Sequence, residues 1–176
     1  MKQLLAIIAA FVFFSSCNNT SQPVTTTSTV DSAAMAKEAM LAKNKATALA
    51  SEQGFNTHDV DQIMKDAAPD AIDYGNGEGK PVKGSDSVKA DLKRFFASFP
   101  DLKGENLVAL ADGNQVAVFG DWSGTFKNDM GKMKATGKSF KIKDVDILTF
   151  NDAGKITEHR SIQSSVTLMS QLMKKK

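Results

Sequence analysis

The residues able to do chemistry are few. Cys17 is the only cysteine, Tyr74 the only tyrosine, and the two histidines, His58 and His159, lie far apart. Two distant histidines among scattered carboxylates make no metal-ligand set, so no metal and no cofactor is expected. "GNGEGKP" (75–81) has glycines, but no apolar strand precedes it and no long helix follows directly, so it does not read as a phosphate loop. No Ser/His/Asp set can be assembled. What remains is "KITEHRSIQSSV", Lys155 to Val166, a strand by its alternation. Glu158, Arg160, Ile162 and Ser164 fall on one face, and His159, Ser161 and Gln163 on the other. A charged pair beside an isoleucine is either a solvated face or the wall of a pocket with polar tips.

The start of the chain carries a different chemistry. Met1-Lys2 is a short positive region, "LLAIIAAFVFF" (4–14) an apolar run, and "SSC" brings small residues up to Cys17. The run is too short for a stable spanning helix and has the flanks of a secretory signal. "FFSSC" resembles a bacterial lipoprotein signal, which implies removal of residues 1–16 and lipidation of Cys17. Such a use of the thiol also explains one unpaired cysteine in an exported chain. Asn18 follows where some lipoproteins carry a retaining aspartate. The expected location is therefore a lipid anchor in a bacterial membrane, the outer membrane facing the periplasm. Residues 17–31, with "NNTSQPVTTTSTVDS", have almost nothing apolar to bury and read as a disordered tether.

Residues 32–176 then hold one domain. Its composition is that of a soluble globular protein, 41% apolar and 24% charged, with a formal charge of only +2. Nucleic acid is not expected as a partner, because phosphate binding needs a concentrated basic face. The terminal "KKK" reads as a solubilising tail.

The elements that must position the candidates follow an α+β pattern. "DSAAMAKEAMLAKNKATALASEQG" (31–54) is predicted helical, with Met35, Ala39, Met40, Ala46, Leu49 and Ala50 near helical spacing. Asp31 or Ser32 would cap it and Gly54 end it. A short helix over 56–68 would stop at Pro69, and a third over 85–99 carries Val88, Leu92, Phe95, Phe96 and Phe99 along one side. Strands are predicted at 105–111, 115–126, 138–150 and 155–166, with turn residues between them and a final helical turn in "TLMSQLM". Helices followed by a bent antiparallel sheet imply a sheet wrapped round its helices, with a cavity between.

"FPDL" (99–102), "GDWSGTF" (120–126), "KATGKSF" (134–140) and "GKITEHR...QL" (154–172) are similar, in order and spacing, to the SnoaL-like polyketide cyclases. These belong to the nuclear transport factor 2-like superfamily of α+β cones. The resemblance covers roughly residues 40–173. It implies an apolar cavity between curled sheet and helices, about four main strands, and a homodimer through the sheet. It also implies a histidine after the "GT" of the second strand, where this chain has Phe126. An acid-base aspartate is implied six residues after the glutamate of "EH", where this chain has Ser164. Neither replacement can serve as a general acid near neutral pH.

Carried onto the alternation, the resemblance turns the Ser164 face inward, with Arg160 and Glu158 beside it and His159 facing away. Trp122 and Phe126 would line the cavity or simply fill the core. Tyr74 falls near the rim, and Met130 and Met133 at the opening. The expected ligand-binding set is Tyr74, Trp122, Phe126, Met133, Glu158, Arg160 and Ser164. Two functions remain open. One is a cone binding a small apolar ligand without cyclase activity; the other is an isomerase, hydrolase or cyclase using a displaced carboxylate such as Asp73, Asp146 or Glu158. A carboxylate with a raised pKa in an apolar cavity would favour the enzyme.

Overall fold

The computed structural model describes residues 26–173. The signal read over 1–16, Cys17, the first part of the tether and the lysine run lie outside the described residues. Helix α1 spans Thr26–Thr57, so it begins within the stretch read as tether and runs through both expected ends, Asp31 and Gly54. Gly54 has another task. A Cβ there would meet Ile63 Cγ1 at 2.7 Å, so glycine is what lets the next helix cross so closely. The buried face of α1 is not the expected apolar one either. It carries Asn44, Ala48, Ser51 and Glu52, while Met35 and Met40 are exposed.

The helix expected over 56–68 is broken by local chemistry. His58 takes a positive φ of 53°, and Asp59 then caps α2 (Val60–Ile63) by accepting from the N–H groups of Asp61 and Gln62. Strand β1 (Ala67–Asp73) follows at once and includes Pro69 instead of stopping before it. Pro69 falls in a register irregularity between Ala67 and Ile72, where a missing N–H disturbs the ladder least. Strand β2 (Val82–Lys83) is two residues long and leads into α3 (Ser85–Ser98), which buries Val88, Leu92 and Phe96 as the sequence predicts.

Four long strands then form as expected: β3 (Lys103–Asp112), β4 (Gln115–Thr125), β5 (Ser139–Phe150) and β6 (Ile156–Ile162). The last is shorter than predicted, because Ser164 caps α4 (Ser165–Leu172). The sheet order is β2-β1-β6-β5-β4-β3, with β1 parallel to β6 and every other pair antiparallel. The two short strands unite the helical half with the sheet and make it six-stranded. Its concave face holds the helices, which is the cone the pattern predicts. Among the described residues no helix is long and apolar enough to cross a membrane.

Two apolar clusters fill the cone. One joins α2, α3 and the far ends of the strands through Val88, Leu92, Phe96, Phe99, Trp122, Phe126 and Phe140. The other packs Ala48 of α1 against Val116, Val118, Leu148, Phe150 and Ile156. Asn56 ties helix to sheet by donating to the Gly104 carbonyl at 3.0 Å and accepting from its N–H at 2.7 Å.

Candidate functional site

A cavity of about 730 Å³ lies between the sheet and the helices. One part of its wall is aromatic. Trp122 and Phe126 project inward from the β4 region, and Phe99, Phe140 and Phe55 close around them. Phe55 meets Trp122 edge-on with centroids 5.5 Å apart, and Phe99 stacks on Phe126 at 5.3 Å. The indole fits because its neighbours lack side chains. A Cβ on Gly104 would meet the Trp122 ring at 2.7 Å, and one on Gly120 would meet Trp122 Nε1 at 2.9 Å. Among the described residues that N–H is buried without a hydrogen-bond partner. Met64, Met130, Met133, Met169 and Met173 also line the space, five of the eight methionines in the chain. Unbranched thioethers repack easily, so this wall can change its outline at little cost.

The other part of the wall is ionisable. The inward stripe of β5 runs Asp144, Asp146, Leu148, Phe150, so two aspartates continue a line of buried apolar residues. On β6 the inward residues are His159 and Ser161, registered opposite Leu148 and Asp146. Asp73 comes from the end of β1 and Glu52 from α1, and all six polar groups line the cavity. His159 is held from both sides. Its Nδ1 lies 2.9 Å from Asp73 Oδ1 and its Nε2 3.1 Å from Asp146 Oδ1. Ser161 Oγ donates to Asp144 Oδ2 at 2.7 Å, and the Gly75 N–H donates to Asp73 Oδ1 at 2.8 Å.

Electrostatics follow from that geometry. Burial alone would lower the His159 pKa, but hydrogen bonds to Asp146 and Asp73, with their charges, hold it well above the ordinary histidine value. With a carboxylate on each ring nitrogen, both nitrogens donate and the ring is an imidazolium. Burial likewise presses the Asp73 pKa upward, yet its bonds from His159 and Gly75 leave it lowered overall. Asp144 is raised, by burial first and then by the charge of Asp146. Glu52 is raised well above its ordinary value, again by burial first and then by the charge of Asp146. A single cation and four carboxyl groups thus share one end of an apolar chamber.

Of the residues singled out from the sequence, Trp122, Phe126, Met133, Glu158, Asp73 and Asp146 line the cavity, as does Met130. Arg160, Tyr74 and Ser164 do not. Arg160 lies outside with its guanidinium 4.5 Å from the Tyr74 ring centroid. Ser164 accepts from the Thr167 N–H at 3.2 Å as the cap of α4. The inward face expected for β6 is therefore corrected. The strand ends at Ile162, so facing cannot be carried back from Ser164, and it is His159 and Ser161 that look inward. Sequence reasoning missed Glu52, Asp144, His159 and Ser161. One signal was present: Asp144 and Asp146 share the period of Leu148 and Phe150, so they share the buried face.

His58 stacks on Phe96 with centroids 4.6 Å apart. The rim is pinned by Asn76, which donates to Ser165 Oγ at 3.0 Å and joins the 75–79 turn to α4.

The comparisons agree with this architecture. The family model described as SnoaL-like polyketide cyclase matches residues 45–172. A Xanthomonas campestris pv. campestris protein assigned as a polyketide cyclase superposes with a TM-score of 0.69 at 20% identity, over 76% of this chain and 99% of its own. AclR from Streptomyces galilaeus, assigned as a hydroxylase, is 28% identical, with a TM-score of 0.61 over 74% of this chain and 95% of its own. A nuclear transport factor 2-like protein of unknown function from Burkholderia pseudomallei K96243 gives 0.62 at 19% identity, over 75% and 98%. No curated protein matches the chain. With that match covering most of the chain, this chain belongs to the SnoaL-like polyketide cyclase family.

Proposed function

We propose that the domain takes up a small, largely apolar carbonyl compound and moves a proton at the carbon beside the carbonyl. The observation that carries this reading is His159 bridging Asp73 and Asp146 at the polar end of an otherwise apolar cavity. The family positions for acid-base work hold Phe126 and Ser164, so the chemistry must come from elsewhere. Asp146 supplies the base. Its Oδ1 lies 3.1 Å from His159 Nε2, and among the described residues its Oδ2 has no hydrogen-bond partner. His159 itself has no free nitrogen, so it positions and polarises the carboxylate and does not touch the proton. Holding two aspartates against one histidine at a cavity wall opposes folding, and such clusters concentrate where chemistry needs them. The aromatic and methionine walls hold the guest's apolar body.

The test needs no natural substrate. In deuterated water the protein should speed hydrogen exchange beside the carbonyl of 1-tetralone, followed by NMR. Asp146→Asn should slow it by roughly 10²–10⁴-fold, the usual range for losing a positioned base. Saturable quenching of Trp122 fluorescence with no faster exchange would establish the binding-only cone instead.

We further propose that this cone is exported and anchored through lipid on Cys17, supported by the run from Met1 to Cys17. A palmitate analogue should label the wild type and not Cys17→Ser; equal labelling of both would refute the anchor.

A further inference from the structure

Glu52 is a member of the polar end that the proposed chemistry leaves unused and that, among the described residues, no neighbour occupies. It sits on α1 between Ala48, packed in the apolar core, and Phe55, which touches Trp122. Only 2% of its surface is exposed, and it lines the cavity. Its neighbour Ser51 donates to the Ile63 carbonyl at 2.9 Å, but among the described residues Glu52 itself has no hydrogen-bond partner. The other buried polar groups at this end are all engaged: Asp73 and Asp146 with His159, Asp144 with Ser161.

We infer that Glu52 is a ligand-facing hydrogen-bond donor, a neutral carboxylic acid that recognises an acceptor oxygen on the guest. This rests on the reading of the cavity as a ligand pocket and names the chemical class it selects. The groups facing Glu52 are Asp73 from β1, Asp144 and Asp146 from β5, and His159 from β6. An ionised Glu52 would add a further anion to three carboxyl groups that share one cation. Among the described residues it would also lack any hydrogen-bond donor to stabilise its charge. Burial and the nearby Asp146 both drive it toward the neutral form, while His159 opposes them. A neutral carboxyl presents an O–H, and among the described residues Glu52 makes no hydrogen bond that would occupy it. A ketone, quinone or enol oxygen would satisfy it. A guest carboxylate would meet the charges of Asp73 and Asp146 and be rejected. In the proposed reaction the same O–H would face the oxygen on which negative charge grows as Asp146 takes the proton.

The experiment compares four bicyclic probes of similar outline: 1-tetralone, tetralin, 1-aminotetralin and the tetralin-1-carboxylate anion. Binding is followed by Trp122 fluorescence. The wild type should favour 1-tetralone over tetralin by roughly tenfold, the worth of about one hydrogen bond. Glu52→Leu should abolish that preference with tetralin affinity kept or improved, and Glu52→Gln, which still donates, should restore most of it. The infrared carbonyl stretch of bound 1-tetralone should shift to lower frequency in the wild type and return in Glu52→Leu. Equal affinity for tetralone and tetralin in the wild type would overturn the inference while leaving the pocket intact. Preference for 1-aminotetralin, lost in Glu52→Gln, would make Glu52 an anionic anchor and also overturn it. Failure of all four probes to bind would remove the pocket reading and this inference together.

Discussion

The two faces of the sheet invert the usual distribution of polarity. Inside, β5 and β6 present Asp144, Asp146, His159 and Ser161 to an enclosed cavity. Outside, the same strands carry a row of apolar side chains in register. Val108 pairs with Phe119, Phe119 with Val145, and Val145 with Ile162. Val108, Phe119 and Ile162 are 56%, 42% and 54% exposed, and Leu110 of the next row is 60% exposed. Carboxylates pointing inward oppose folding unless they are paired, and aliphatics pointing outward gain nothing unless they are covered. Each face therefore asks for something the single chain does not contain: a ligand within and a partner without. We propose that the partner is a second copy packed sheet to sheet, as the resemblance implied.

Among the described residues His159 is the one cation of the polar end, and the inner face should break most severely there. His159→Ala would leave the half-buried Asp73 and the buried Asp146 without it, a loss of about 2 kcal/mol or more by denaturant titration. The wild type should also show a characteristic pH course. The raised pKa of His159 means its contribution is full below the ordinary value of 6.5 and is lost as pH rises through the folded value. Asp144 and Glu52, raised above 3.8 and 4.5, likewise favour folding at low pH and oppose it as pH rises. Asp73 is lowered from 3.8, so its contribution is present above that value and lost as pH falls through the folded one. Stability should peak in mild acid, with a long decline into alkali. His159→Ala should flatten the upper part of that decline; an unchanged alkaline slope would mean that His159 is not the bridging cation.

The outer face should respond less in stability and more in assembly. Phe119→Lys places a charge at the centre of the apolar row, where a sheet-to-sheet dimer would bury it. Light scattering should then give the monomer mass at concentrations where the wild type is dimeric, a rise in the dissociation constant of at least about tenfold. Monomeric wild type at high concentration would leave the row as bare surface and remove the dimer.

What could be read from the sequence differs between the faces too. The four long strands and α3 were legible because apolar periodicity and turn residues agreed there. β1 was hidden by Pro69, which tolerates a register irregularity that the sequence does not announce. The buried face of α1 was hidden because it is polar: Asn44, Ser51 and Glu52 face inward, while the helix's methionines at 35 and 40 face out. The ionisable cluster escaped for a related reason. Facing on β6 was taken from Ser164, but one residue beyond Ile162 the chain has already left the strand, and a slip of that kind turns every side chain to the opposite face.

Arg160 offers the smallest effect and the sharpest check on that facing. By register it stands opposite Ile147 on the outer face, where its guanidinium covers Tyr74 at 4.5 Å. An exposed cation–π contact is worth about 0.5–1 kcal/mol, so Arg160→Ala should cost no more than that in a denaturant titration. The cavity is untouched, because neither Arg160 nor Tyr74 lines it. Quenching of Trp122 by 1-tetralone should therefore keep its midpoint within about twofold, whereas Glu52→Leu should move it by about tenfold. If Arg160→Ala weakened the ligand as strongly as Glu52→Leu, β6 would have to be turned over. Arg160 would then be the polar point of the chamber and His159 a residue of the outer face.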